Sequence, residues 1–222
     1  MFLENRINPI WESHHGKGPF IRSLPLGGRI MDIGCGNNSP SYVKNMRPDL
    51  YYIGIDVGDY NQDDVSLISA NEYHVSTTSQ FSANIERLEL NIDGVVSSHN
   101  LEHCNDCRAV LRAMVGALKP GGRMYLSFPC EASARFPHRR GCLNFFDDPT
   151  HQNLLPWHSI IEELSELGMV FEFRARRYRP LGLALMGLVY EPLSAIRKEV
   201  TRNGATWALY GFESVIWARR TI

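Results

Sequence analysis

The sequence predicts an α/β fold, a doubly wound and mostly parallel sheet with helices on its faces. Three observations predict it. A short apolar run leads straight into a glycine turn and a helix start at "RIMDIGCGNNSP" (29–40). Apolar runs of strand length recur further on, separated by turns or by segments of helical period. Several of these runs end on polar residues, which a parallel sheet gathers along one edge, beyond the carboxyl ends of its strands.

The elements follow in order. Residues 29–34 read as a buried strand. Ser39 before Pro40 reads as an N-cap followed by the first helical residue, because the N–H that proline lacks would find no intrahelical partner there. Pro48 keeps this helix short. "YYIGID" (51–56) is the second strand, closing on a carboxylate. The third repeat is the weakest, with one brief strand around 73–75 in a polar, irregular stretch. "IDGVVSSH" (92–99) is the fourth strand. The helix after it carries Val110, Leu111, Met114, Val115 and Leu118 on one face, until "KPGG" (119–122) stops it. "RMYLSFP" (123–129) is the fifth strand.

Beyond residue 129 the pattern changes. Residues 130–155 hold no sustained period and are too long for an ordinary connection, so they read as an ordered functional loop on the ligand side. A helix over about 156–167 presents Trp157, Ile160, Ile161, Leu164 and Leu167 on one face, with Ser159 and Glu162 at capping-box spacing as an alternative start and Gly168 as its C′ residue. "MVFEFRARRY" (169–178) and "GFESVIWARR" (211–220) are two late strands. Between them the apolar segment 180–190 is too short for a bilayer-spanning helix and reads as buried or as a lid, within a helical insertion over 178–205. Peripheral membrane contact is the other use such a segment could have. The whole chain, 1–222, reads as one domain.

Composition narrows the classes. The 222 residues carry a net charge of −1 with 44% hydrophobic content, which fits a globular protein and argues against extended disorder. Arginines cluster at 135–141 and 174–179, but no contiguous basic stripe runs along the chain, so a nucleic-acid partner is not favoured. Five cysteines (35, 104, 107, 130, 142) are expected as thiols, and the start of the chain lacks the basic and apolar regions of a secretory leader. Together these give a cytoplasmic expectation.

The glycine turn indicates what is bound. Gly34 and Gly36 bring backbone N–H groups close to a ligand. Asp56 lies 22 residues after Gly34 at the end of the next strand, the spacing at which a carboxylate accepts ribose hydroxyls. A dinucleotide turn would carry a third small residue where Ser39 stands, so pyrophosphate binding, and with it an NAD-dependent oxidoreductase, is poorly supported.

Four segments then resemble class I S-adenosylmethionine-dependent methyltransferases of the small-molecule, methyltransferase type 11-like kind: "IMDIGCGNNSP", "YIGIDVG", "DGVVSSHNLEHCND" and "LKPGGRMYLSFP", in family order over about 28–129. The resemblance implies a Rossmann-like, seven-stranded sheet with an antiparallel last strand, and S-adenosyl-L-methionine as cofactor. It implies that Gly34, Cys35 and Gly36 border the methionine part and that Asp56 holds the ribose. It further implies that Val57 lies beside adenine, that Asp32 orients the glycine loop or the amino group, and that Ser98 or His99 lines the cleft. The acid that many members place after the third strand is missing, and Thr77, Thr78 and Ser79 are the polar replacements.

Methyl transfer from a sulfonium carbon is a direct displacement, helped for a hydroxyl acceptor by a nearby base. His99, Glu102, His103, His138 and His151 all fall on the expected edge. His151 is the foremost candidate, in a segment that more loosely resembles methyltransferases acting on sugars and cell-envelope intermediates; His103 is the second. Arg135, Arg139 and Arg140, with Phe136, Phe145 and Phe146, are the acceptor-binding candidates. The expected acceptor is a small, polar, sugar-like or hydroxylated metabolite, methylated on oxygen. His99, His103, Cys104 and Cys107 form one compact cluster without the second cysteine-pair arm of a structural zinc site, so no metal is expected. A noncatalytic Rossmann-like binding or partner-stabilising protein is the competing class.

Overall fold

The computed structural model describes residues 14–88, 91–201 and 204–221. The reading of the chain's start therefore lies, up to residue 13, outside the described residues. Seven strands form one sheet in the order β3-β2-β1-β4-β5-β7-β6. They are β1 (Arg29–Ile33), β2 (Tyr51–Asp56), β3 (Glu72–Val75), β4 (Ile92–Ser98), β5 (Leu118–Pro129), β6 (Met169–Ala175) and β7 (Glu213–Arg220). The first five run parallel, while β7 lies antiparallel between β5 and β6. The chain reverses its direction of travel across the sheet between β1 and β4, the place where ligand crevices open in such sheets.

Alternation along the strands explains the two-sided core. Met31, Ile33, Val95, Leu126 and Ile216 face α4 (Phe81–Arg87), α5 (Cys107–Ala117) and α6 (Trp157–Glu166), whose Ile85, Leu111 and Leu164 complete that cluster. Ile30, Tyr52, Val96, Tyr125 and Val215 point the other way, to Phe20 of α1 (Lys17–Arg22) and Val43 of α2 (Ser39–Met46). Such strands are buried on both faces, hence their continuous apolar runs.

Several boundaries differ from the sequence reading. Ser39 is the first residue of α2 rather than its N-cap; Asn38 precedes the helix, and Asn37 and Asn38 both adopt left-handed backbone (φ 57° and 56°), a conformation asparagine tolerates well. The "KPGG" turn belongs to β5 as an irregular start, where Leu118 pairs with Ile92 before the register resumes at Arg123. α6 starts after Pro156, so the Ser159 and Glu162 capping box is not used.

The segment 180–190 is helical, as expected, but not buried. α7 (Leu181–Arg197) exposes Leu181, Leu185, Leu188, Val189, Leu193 and Ile196. It is held from its other side. Gly187 abuts Ala205 and Leu209 at α8 (Ala205–Tyr210), and Arg139 reaches up to Glu191 and Ser194. Among the described residues no helix is long and apolar enough to cross a membrane.

Candidate active site

The cofactor side is built where β1 gives way to α2. Gly34 turns with φ +74°, and a Cβ there would fall 2.5 Å from the Asn100 side chain, so only glycine fits between the two segments. Asp32, fully buried, accepts from Ser39 Oγ (2.5 Å), Tyr52 Oη (3.0 Å) and Lys17 Nζ (3.2 Å), bracing the first turn of α2 against the sheet. Its Oδ1 has no protein partner among the described residues. Asp56 is 8% exposed, and its Oδ1 accepts the Val57 N–H at 2.7 Å. Burial raises its pKa, opposed by the N–H groups of Val57 and Gly36.

A cavity of about 140 Å³ opens beside this turn, lined among others by Val57, Thr78, Ser79, Phe81, Asn100 and His103. Val57 is half exposed to it, and two of the three polar residues proposed to replace the missing acid are in its wall. A larger cavity of about 500 Å³ lies between Tyr190, Leu193 and Arg197 of α7 and residues 199–201, and shares no residue with it. Cys35 faces away from the cavity: its thiol is fully buried against Gly54, and burial raises its pKa strongly, so only its backbone borders the turn. Gln62 Nε2 donates to the Cys35 carbonyl at 2.6 Å, a brace with no motif to mark it in the sequence.

Ser98 and His99 are not in the wall of that cavity; Asn100 and His103 are. Ser98 Oγ meets Ser127 Oγ at 2.8 Å. His99, with φ +53°, turns its ring between Glu102 (Nδ1 to Oε1, 3.1 Å) and Glu213 at the start of β7 (Nε2 to Oε1, 2.9 Å), stacked over Phe212. Burial alone would lower this imidazole, but the two carboxylates outweigh it and push its pKa up to about 10.

The acceptor side forms where the long loop clasps the segment after β4. Gln152 and Asn153 donate their N–H groups to the Glu102 carbonyl (2.8 and 3.0 Å), and Asn153 Nδ2 donates to the Cys104 carbonyl at 2.6 Å. These bonds bring His151 beside Glu102 and His103. The His103 and His151 rings lie 4.8 Å apart, and one ligand atom from each of Glu102, His103 and His151 falls within 4.8 Å of the others. His151 Nδ1 lies 2.7 Å from the Phe145 carbonyl and must donate to it, which leaves the Nε2 lone pair directed at the cluster. His103 Nδ1 lies against the Thr150 carbonyl (3.2 Å) and the Thr150 hydroxyl oxygen (3.0 Å); since that hydroxyl gives its proton to Asp148 Oδ1 (2.5 Å), Nδ1 is again the donor. Asp147 and Asp148 do not bind His151 through Nδ1; His138 takes Asp147, at 2.7 Å.

Of the six acceptor-binding candidates, the structure brings Phe145 and Phe146 to His151, Phe145 by direct ring contact (4.7 Å) and Phe146 through Phe145. Arg139 is a correction. It is 6% exposed and bonded by both terminal nitrogens to Glu191, so it clamps α7 and has no donor fork to offer an acceptor. Arg140 pairs with Glu199 at the surface (2.7 Å), Arg135 is exposed, and Phe136 packs on Tyr210. The cysteine and histidine cluster also dissolves: Cys104 Sγ donates to the Asn100 carbonyl and His99 is engaged by the two glutamates. All five cysteines are thiols.

A family profile described as a methyltransferase domain matches residues 17–171. A ubiquinone biosynthesis O-methyltransferase of Xanthomonas axonopodis pv. citri (strain 306) is 27% identical over 124 residues, 48% of this chain. The match spans 45% of that relative's length. A solved S-adenosylmethionine-dependent methyltransferase of Mesorhizobium loti superposes with a TM-score of 0.58 at 16% identity, covering 91% of this chain and 96% of its own. The geranyl diphosphate C-methyltransferase of Streptomyces coelicolor A3(2), solved with Mg2+, geranyl diphosphate and S-adenosyl-L-homocysteine, gives 0.63 at 13% identity, covering 92% and 78%. At these identities the structures establish the shared fold. The glycine turn without room for a Cβ, the carboxylate beside it and the unpartnered Asp32 oxygen fit a nucleoside carrying an amino acid. Sheet order, turn and family match agree: the chain belongs to the class I S-adenosylmethionine-dependent methyltransferases, with S-adenosylmethionine as its cofactor.

Proposed function

We infer that the chain, acting as one methyltransferase domain, methylates a hydroxyl oxygen of a small, polar, sugar-like or otherwise hydroxylated acceptor admitted over residues 130–155. The observation that carries this reading is the His151 imidazole, 5% exposed at its side chain, with Nδ1 fixed by a carbonyl and Nε2 left as a proton acceptor. That is the tautomer a general base requires. His103, one ring away and in the wall of the cofactor-side cavity, is the second base. The relative named as an O-methyltransferase supports oxygen as the acceptor atom.

Bound S-adenosylmethionine supplies the electrophilic methyl carbon. Asp56 accepts the ribose hydroxyls, Val57 lies against adenine with Thr78 and Ser79 at its edge, and the backbone of Gly34, Cys35 and Gly36 borders the methionine part. Asp32 holds that turn through Ser39 and offers Oδ1 to the amino group. Phe145 and Phe146 wall the acceptor beside His151, and the exposed Arg135 is left to meet an acidic substituent.

Calorimetry against S-adenosylmethionine, S-adenosylhomocysteine and NAD tests the cofactor half: the first two bind, and Asp56→Ala weakens both at least about tenfold by removing charge-assisted acceptors. Binding of NAD alone would overturn it. For the acceptor half, His151→Ala lowers turnover by about 10²- to 10⁴-fold with S-adenosylhomocysteine affinity unchanged. Turnover near wild type across about pH 6 to 9 would remove His151 as the base.

A further inference from the structure

The geometry points to a divalent cation site formed by Glu102, His103 and His151, resting on the acceptor-side reading above. Three observations carry it. Glu102 is fully buried; its Oε1 takes the His99 N–H and lies 4.0 Å from His151 Nε2, while Oε2 of the same carboxylate has no protein partner among the described residues. A buried carboxylate oxygen left unbonded is expensive, and a cation is one of the few partners that repays it. Both histidines have Nδ1 tied to a backbone carbonyl with Nε2 left over, the outer-shell arrangement that orients imidazoles as metal ligands. Charge also favours a cation, since Glu102, Glu213 and Asp148 outnumber His99 whatever charge the imidazole carries.

Two imidazole nitrogens and one carboxylate suit a first-row cation such as Zn2+ or Mn2+ better than the all-oxygen shells of Mg2+ or Ca2+. The donor atoms, within 4.8 Å of one another, need a modest side-chain rotation to reach bonds of about 2.0–2.2 Å. Three protein ligands leave positions open for an acceptor oxygen. In the loaded site both Nε2 lone pairs are committed, so the cation takes over from His151 in activating the acceptor. The O–H bond of the coordinated hydroxyl breaks and its proton leaves to solvent past Asp148, whose Oδ2 lies 4.0 Å from His151 Nε2. The oxygen's electron pair then forms the bond to the methyl carbon as the carbon–sulfur pair returns to sulfur. In the metal-free site the same proton passes to His151.

The test uses the full chain stripped with a chelator and titrated with Mn2+, followed by electron paramagnetic resonance, and with Zn2+ by calorimetry; S-adenosylhomocysteine binding is measured on the same samples. One cation per chain is expected, weakened at least about tenfold by His103→Ala or His151→Ala and abolished in the double variant. Nucleoside affinity stays within twofold in His151→Ala, which is outside the cavity wall, and the far-ultraviolet circular dichroism and Tm of all three variants stay close to wild type, which shows that they are folded. No uptake by the wild type, or uptake undiminished in the double variant, overturns the site while nucleoside binding remains. Wild-type turnover that is indifferent to chelation and to added cation, but lost in His151→Ala, also overturns the cation's part and leaves the imidazole base standing. Loss of nucleoside binding by the wild type would strike the methyltransferase reading instead.

Discussion

Gly34 and Asp147 show how single residues set this site. A methyl group on Gly34 would meet the Asn100 side chain and force an L-residue into φ +74°. Gly34→Ala is expected to lose about 1–3 kcal/mol and to weaken S-adenosylhomocysteine binding, read by urea denaturation and calorimetry. Asp147 organises the acceptor loop, accepting the N–H groups of Arg139, Leu143 and Asn144 and the His138 ring. Burial alone would raise its pKa, but these donors outweigh it and hold it below the ordinary carboxylate range. A folded pKa below the unfolded value of about 3.9 contributes stability that is complete above that pH and is lost as pH falls through the folded value. The gap in Tm between wild type and Asp147→Asn should therefore narrow below about pH 4; a constant gap would refute the assignment. At this scale the sequence marked Gly34, Asp56 and His151 as candidates, each by residue type and position. It could not show Asn100, Gln62 or the Lys17 brace on Asp32, which depend on which segments the sheet brings together.

Among the elements, α7 departs most from its sequence reading. Its apolar residues suggested burial, yet polar bonds from Arg139, Tyr210 and Thr206 to Glu191 and Ser194, with the close packing of Gly187 on α8, hold the helix while most of its large apolar side chains face outward. Hydrophobicity cannot report this, because the anchor is Arg139, a residue that reads as surface charge. Arg139→Ala leaves Glu191 in a partly enclosed place with the Tyr210 hydroxyl as its remaining donor and no opposite charge, and should cost about 1–3 kcal/mol, with faster proteolysis within 178–205. Arg139→Lys should not restore the loss, since one ammonium cannot replace two parallel bonds. Leu188→Glu, on the exposed face, should change stability by no more than about 0.5 kcal/mol.

Across the molecule, the parallel half of the sheet was legible because strands buried on both faces read as apolar runs. β3 was faint because it is a four-residue edge strand without a buried face. The antiparallel sense of the last strand came through family resemblance alone, and its place between β5 and β6 was not foreseen, as nothing in local pattern says which neighbours a strand will choose. Its position has a consequence for how the protein is made. β6 pairs in the sheet with β7 alone, and Glu213, the first residue of β7, is one of the two carboxylates that seat His99. On a ribosome releasing about 5–20 residues per second, β1 to β5 can assemble as they emerge, whereas β6 has no sheet partner until β7 follows it into the open. During that interval an unpaired edge of β5 is offered to any passing strand, and the seat of His99 lacks one of its walls. The nascent enzyme is thus most vulnerable to mispairing just before its acceptor side is complete.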